Sequence, residues 1–171
     1  MSLDKTDSHR VILGIDPGYG RLGWAVVAVA NSSWKTIKFG CIQTSKSTPL
    51  LDRYSQLEQA LEKIIQASQP TEAAVETLFF SNNVKTAMQV AETRGIILAC
   101  LLRHHIKITQ YNPMQIKETV TGNGRADKKA VEKMVRLEFK LKPGKILDDA
   151  IDALATVLTH RIRSQNLKYY A

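Results

Sequence analysis

The sequence predicts a mixed α/β sheet with helices packed against it, on three observations. Two short apolar runs, Val11 to Ile15 and Trp24 to Val29, lie either side of a Pro-Gly turn and read as strands. After Pro49 the apolar spacing changes from a strand period to a helical one. From there strand and helix patterns alternate to the end of the chain.

In order, the first run stops at Asp16-Pro17-Gly18, and the second is rich in β-branched residues. A third strand is expected around Trp34 to Ile42, after the turn signal Asn31-Ser32-Ser33, so the chain opens with an antiparallel meander. Pro49 starts a helix whose Tyr54, Leu57, Leu61, Ile64, Ile65 and Ser68 share one face, and Gln69-Pro70 ends it. Ala73 to Glu76 is a brief buried strand. A helix follows from Asn83 to Arg103, then a strand at Ile106 to Gln110, a helix from Asp127 to Lys140, and a last helix from Leu147 to Arg163. No segment repeats. A ribonuclease-H-like fold, with three antiparallel strands and then alternating helices and strands, fits this order, as do several other mixed folds.

A chain of 171 residues accommodates one well-buried domain rather than two of ordinary size. The expected organisation is a polar N-terminal extension at 1–10, a single domain at 11–165 and a tail at 166–171. A hydrophobic content of 44% with 23% charged residues is that of a globular protein rather than a disordered one. No apolar run approaches the ~20 residues that span a bilayer, and no export signal is visible, so a cytoplasmic location is expected. Cys41 and Cys100 stand apart without CxxC spacing, which gives no support to a zinc site or a disulfide framework.

The net charge of +8 is unevenly placed: residues 103 to 145 hold eleven Lys or Arg against four acids, leaving 13 against 12 elsewhere. A basic surface attracts polyanions, and nucleic acid is the first candidate, although a solvated basic face has the same composition.

Against this background the acids stand out. Asp16 sits where a buried strand meets a Pro-Gly turn, which places a carboxylate at a sheet edge near backbone amides. An Asp bonded to its own turn has the same local sequence. Glu76 ends the strand Ala73-Ala74-Val75-Glu76, where burial is costly unless the acid is paired or binds a cation; taken alone, the residue reads more readily as a Glu that reaches solvent at the strand's end. Asp148, Asp149 and Asp152 lie in the first turns of the last helix, above an apolar stripe of Ile151, Leu154, Ala155 and Leu158. The spacings Asp149–Asp152 and Asp148–Asp152 both project from one helix face. The helix dipole favours such acids by ~0.3–1 kcal/mol each, but three in five positions exceed what capping needs. Carboxylates on two strands and a helix repel one another unless hard cations sit between them. Two such ions about 4 Å apart activate water and stabilise a phosphodiester's leaving oxygen. An acidic centre inside a basic protein therefore points to a nuclease.

These motifs resemble one family. Gly14-Ile15-Asp16-Pro17-Gly18, then Val75-Glu76 with Phe79, then Gln115 to Val120 running into Gly122-Asn123-Gly124-Arg125-Ala126-Asp127-Lys128, and finally Asp149-Ala150-Ile151-Asp152-Ala153-Leu154-Ala155 with His160, are similar in order and spacing to the RuvC family of Holliday-junction resolvases. The resemblance covers roughly residues 11 to 165. It implies a ribonuclease-H-like fold, a homodimer, and paired symmetric nicks in a four-way DNA junction during recombination and repair. It matches Asp16, Glu76, Asp149 and Asp152 to four catalytic acids that hold two Mg²⁺ ions per subunit, with Mn²⁺ as a substitute. Asp148 is an extra acid, and the family's DxxD spacing selects Asp149 over it. Phe79 matches an aromatic residue that stacks on an unpaired base, whereas Phe80 reads as core. Lys117, Lys128 and Arg125 match DNA-binding positions. The helix from Asn83 to Arg103 matches the family's dimer contact, and RuvA and RuvB are the implied branch-migration partners. His160 lies too far along its helix to share the acids' metal and reads as structural.

Two rival readings remain at the level of sequence. One is a branched-DNA-binding protein without catalysis, which the presence of all four matched acids opposes. The other is a fragment of an actin-like ATPase or sugar kinase, suggested by the opening strand, acid and glycine turn; such enzymes need a second domain to close over nucleotide, for which 171 residues leave no room.

Overall fold

The computed structural model describes residues 10–30, 33–77 and 84–167. Five strands form one sheet in the order β3-β2-β1-β4-β5: β1 Arg10–Asp16, β2 Arg21–Ala30, β3 Ser33–Gln43, β4 Glu72–Glu76 and β5 Lys107–Tyr111. The first three pair antiparallel, as the meander requires, whereas β4 and β5 join parallel to β1. The helices are α1 Leu50–Ser68, α2 Val84–Arg103, α3 Pro113–Thr121, α4 Lys128–Glu138 and α5 Asp148–Leu167. The last runs past the expected domain boundary at 165.

Strand alternation divides the core in two. Leu13, Ile15, Val26, Ala73 and Val75 face α1 and α2, where they meet Leu57, Leu61, Ile65, Ile97 and Leu101. Ile12, Ala25, Val27 and Ala74 face the other way, toward Ile116, Val131, Val135, Leu154 and Val157 of α3, α4 and α5. Both faces of the central strands are covered, which is why β1 and β2 read as nearly continuous apolar runs.

One expectation needs correcting and one element went unrecognised. Asp16 is not at a sheet edge: it ends β1, the central strand. Helix α3 lies in a stretch read only as motif, yet its signals are local. Asn112 caps it by accepting from the Gln115 backbone N–H at 2.8 Å while the Gln115 side chain accepts from the Asn112 N–H at 2.9 Å. Pro113 opens it, and Gly122, at φ 78°, closes it in the left-handed conformation that glycine adopts without strain.

Two features fix α5, the helix that carries the acids. At its start, backbone meets backbone: a Cβ on Gly23 would lie 1.9 Å from the Asp149 carbonyl oxygen, and one on Gly14 would lie 2.4 Å from that of Ala153. Toward its other end, buried His160 bonds Tyr111 Oη through Nδ1 at 2.9 Å and Glu72 Oε2 through Nε2 at 2.7 Å. Arg10 clamps the same carboxylate with two bonds of 2.7 and 2.8 Å. The Arg10 guanidinium, helped by His160 and against the effect of burial, holds Glu72 down to about 2, and burial keeps the His160 ring below its usual range. A neutral imidazole bonded to a carboxylate must donate from Nε2, so Nδ1 accepts from the tyrosine. His160 is therefore an anchor, consistent with the structural reading of its position.

Candidate active site

The site is built where three chain segments end or begin together. Strand β1 stops at Asp16 because Pro17 offers no amide for pairing and Gly18 makes a tight turn; a Cβ there would lie 2.2 Å from the Arg21 carbonyl oxygen. The parallel register sets Ile15 beside Val75, so Asp16 and Glu76 end neighbouring strands that run the same way. Their parity with Ile12, Gly14 and Ala74 directs both to the face that α5 covers. Opposite Asp16 on the other side is Gly23, and the close approach there sets Asp149 over the sheet, with Asp152 one turn along.

Asp16, Glu76, Asp149 and Asp152 line one cavity of about 390 Å³, together with Pro113, Ile116, Lys117, Lys128 and Val131. Asp148 lines an adjoining cleft of about 180 Å³ with Lys128, Lys129 and Glu132. Of the two adjacent acids, Asp149 is thus the one in the main cavity.

The electrostatics are those of crowded, under-compensated charge. Burial pushes the Asp16 carboxyl well above the usual carboxylate range, and Glu76, Asp152 and Asp149 push it further, with Lys128 opposing. Burial first and Asp152 second raise Glu76 to about 7, against Lys128 and Lys117. Asp152 is also raised by burial, although Lys128 pulls it down from 3.7 Å. The Oδ2 atom of Asp149 is buried and accepts no hydrogen bond among the described residues, with Arg21 Nε 3.4 Å away. Such a set of oxygen donors, close together and short of positive charge, fits hard divalent cations.

Helices α3 and α4 bring the lysines. Lys117 follows buried Ile116 on α3. Lys128 opens α4 behind Asp127, whose Oδ1 accepts from the Ala130 N–H at 2.8 Å. Its side chain is 75% exposed, so it can turn from Asp152 toward a phosphate. Arg125 is exposed on the loop between these helices and does not line the cavity. Phe79 and Phe80 lie outside the described residues. Arg21 is the residue that sequence reading passed over; its only signal is its place directly after the Pro-Gly-Tyr-Gly turn that follows the acid's strand.

A ribonuclease-H-like sheet with carboxylates gathered at the ends of its central strands and on the helix crossing them defines the class of the protein. The family model described as crossover junction endodeoxyribonuclease RuvC matches residues 12–160. Crossover junction endodeoxyribonuclease RuvC of Petrotoga mobilis is 46% identical over 150 residues, covering 88% of this chain and 92% of the relative. That of Finegoldia magna is 40% identical over 158 residues, covering 92% and 96%. Among solved structures, Thermus thermophilus RuvC in complex with a Holliday junction substrate superposes with a TM-score of 0.85 at 31% identity, covering 92% of this chain and 96% of that one. The yeast mitochondrial Holliday junction resolvase, at 12% identity and a TM-score of 0.67, shares the fold. The chain belongs to the RuvC family.

Proposed function

We propose that this protein is a structure-selective endodeoxyribonuclease that resolves four-way DNA junctions by paired symmetric nicks, in homologous recombination and DNA repair. One observation carries the reading: in a RuvC-family chain, Asp16, Glu76, Asp149 and Asp152 from three separate elements line a single cavity with Lys117 and Lys128. The four carboxylates would hold two Mg²⁺ ions per subunit, with Mn²⁺ as a substitute. When bound, such ions lower the pKa of water and stabilise the charge that develops on the leaving oxygen.

This chain's own residues do the rest. Lys128 and Lys117 neutralise the phosphodiester at the mouth of the cavity, and exposed Arg125 holds the backbone beyond it. Pro113, Ile116 and Val131 give the cavity apolar walls that strengthen each charge interaction inside. Phe79 stacks on an unpaired base near the junction centre, a contact worth ~1–3 kcal/mol. Two copies of the 11–165 domain act as a homodimer, and Met88 and Leu102, exposed at 70% and 63% on α2, support that helix as the contact. The distance and direction between the two sites then select a branched substrate by shape. The setting is the cytoplasm, with RuvA and RuvB as branch-migration partners. Among the described residues no helix is long and apolar enough to cross a membrane.

The test is to incubate the protein with a labelled, branch-migratable four-way junction with and without Mg²⁺, and to religate the products. Paired, religatable, metal-dependent nicks are expected, and Asp149→Asn should bind the junction without cutting it. Binding without cleavage in either metal would leave a branched-DNA-binding protein instead. Cutting by Asp149→Asn at the wild-type rate would remove this site.

A further inference from the structure

On the sheet face covered by α1 and α2, a second group of ligating side chains meets where α2 ends. Cys100 lies in the last turn of α2 and His104 follows four residues later, one residue past the helix end, so their side chains come to the same side of it. Glu62 reaches them from α1. The Cys100 Sγ lies 3.5 Å from Glu62 Oε1, His104 Nε2 lies 2.6 Å from Glu62 Oε2, and the three ligand atoms all fall within 4.8 Å of one another.

We propose that Glu62, Cys100 and His104 form a binding site for a zinc-class divalent cation that ties α1 to α2. The donor set is the argument. Thiolate, imidazole and carboxylate together suit zinc, cobalt or nickel, whereas the cavity across the sheet offers carboxylate oxygens suited to magnesium. The pair at the end of α2 is a ready chelate: donors around a tetrahedral ion with bonds of ~2.0–2.3 Å lie roughly 3.3–3.8 Å apart, so the 2.6 Å contact of His104 with Glu62 would open and the widest pair, within 4.8 Å, would close by about 1 Å. The buried thiol carries a proton that it donates to Glu62, so binding replaces the S–H bond with a sulfur–metal bond and releases that proton to solvent.

Access and charge also fit. The His104 and Glu62 side chains reach solvent, at 31% and 24% exposure, which leaves a path for the ion. The cation now on Glu62 is Arg103, whose Nη2 lies 2.9 Å from Glu62 Oε1 and 2.6 Å from Glu58 Oε1. Arg103 is half exposed and already shared, so it can keep Glu58 and give up Glu62. Water would then complete the coordination.

The experiment is a Co²⁺ titration of the reduced, full-length protein in excess Mg²⁺, followed by the near-ultraviolet thiolate-to-cobalt charge-transfer band. The carboxylate cavity cannot produce that band. It should appear, saturate at one ion per chain and be displaced by Zn²⁺. Cys100→Ala should abolish it, and Cys41→Ala should leave it intact. His104→Ala and Glu62→Gln, on surface positions that spare the core, should each weaken binding by roughly tenfold or more. No band in the wild type would overturn the proposal. So would a band that survives His104→Ala and Glu62→Gln at unchanged affinity, or one that Cys41→Ala removes.

Discussion

Glu72 and Glu76 open and close the same five-residue strand and share its face, yet their carboxyls are driven in opposite directions, to about 2 and about 7. About 13 Å of backbone separates them. At the Glu72 end, each buried polar group has a partner of the right kind: Arg10 and His160 on the carboxylate, Tyr111 on the imidazole. At the Glu76 end, four carboxylates share a cavity with two lysines, and the nearest atoms of Asp149 and Arg21 do not reach hydrogen-bonding geometry. The first arrangement holds a helix. The second raises the energy of the folded protein unless something positively charged enters, as expected of a site built for a ligand rather than for stability.

The contrast can be broken at either end. The largest effect is expected from Asp152→Asn: loss of junction cleavage by about 10³-fold or more, with junction binding kept, measured on a labelled four-way junction. Next comes Gly23→Ala, whose methyl group has no room beside the Asp149 carbonyl and must lift the first turn of α5 off the sheet. Cleavage should fall by about 10²-fold, since small misplacements of reacting groups cost that much. A variant cutting at the wild-type rate would show that the glycine contact does not position the acids.

Glu72→Ala should act on stability instead, lowering it by about 2 kcal/mol by leaving Arg10 and His160 without their carboxylate. Cleavage well below the melting temperature should persist. Because the fold holds the Glu72 pKa below its unfolded value, its contribution is present above the ordinary carboxylate range and lost as pH falls toward about 2. The difference in melting temperature between wild type and variant should therefore shrink on acidification. Smallest, and opposite in sign, is Glu76→Gln in a chelator. A raised folded pKa means that wild type loses stability as pH climbs from the ordinary carboxylate range to about 7. The variant should thus gain about 1 kcal/mol above neutral pH and nothing near pH ~4, read by denaturant unfolding.

How legible the molecule is in its sequence follows the same division. Strand and helix periods are local, so β1 to β5 and the acid-bearing helix are readable from apolar spacing alone. So is the convergence of Asp16, Glu76, Asp149 and Asp152, once the resemblance supplies the fold. Helix α3 was missed because its short apolar face, Ile116 and Val120, makes a weak period; its Asn-Pro-x-Gln opening is the stronger signal. The place of β1 at the sheet centre depends on β4 joining it from across the chain, which no local pattern records. Arg21 beside Asp149, Arg10 on Glu72, and Glu62 between Cys100 and His104 are tertiary meetings of residues far apart in sequence. Cys100 looked solitary for that reason.

The most direct test follows both glutamates at once, by NMR titration of the Glu72 and Glu76 carboxyl carbons without divalent ions and again with Mg²⁺. Without them, Glu76 should titrate near about 7 and Glu72 near about 2, and Mg²⁺ should pull the Glu76 midpoint down while leaving Glu72 unmoved. A Glu76 that titrates with ordinary carboxylates, or that ignores Mg²⁺, would contradict the claim that this end of the sheet is under-compensated charge awaiting a cation.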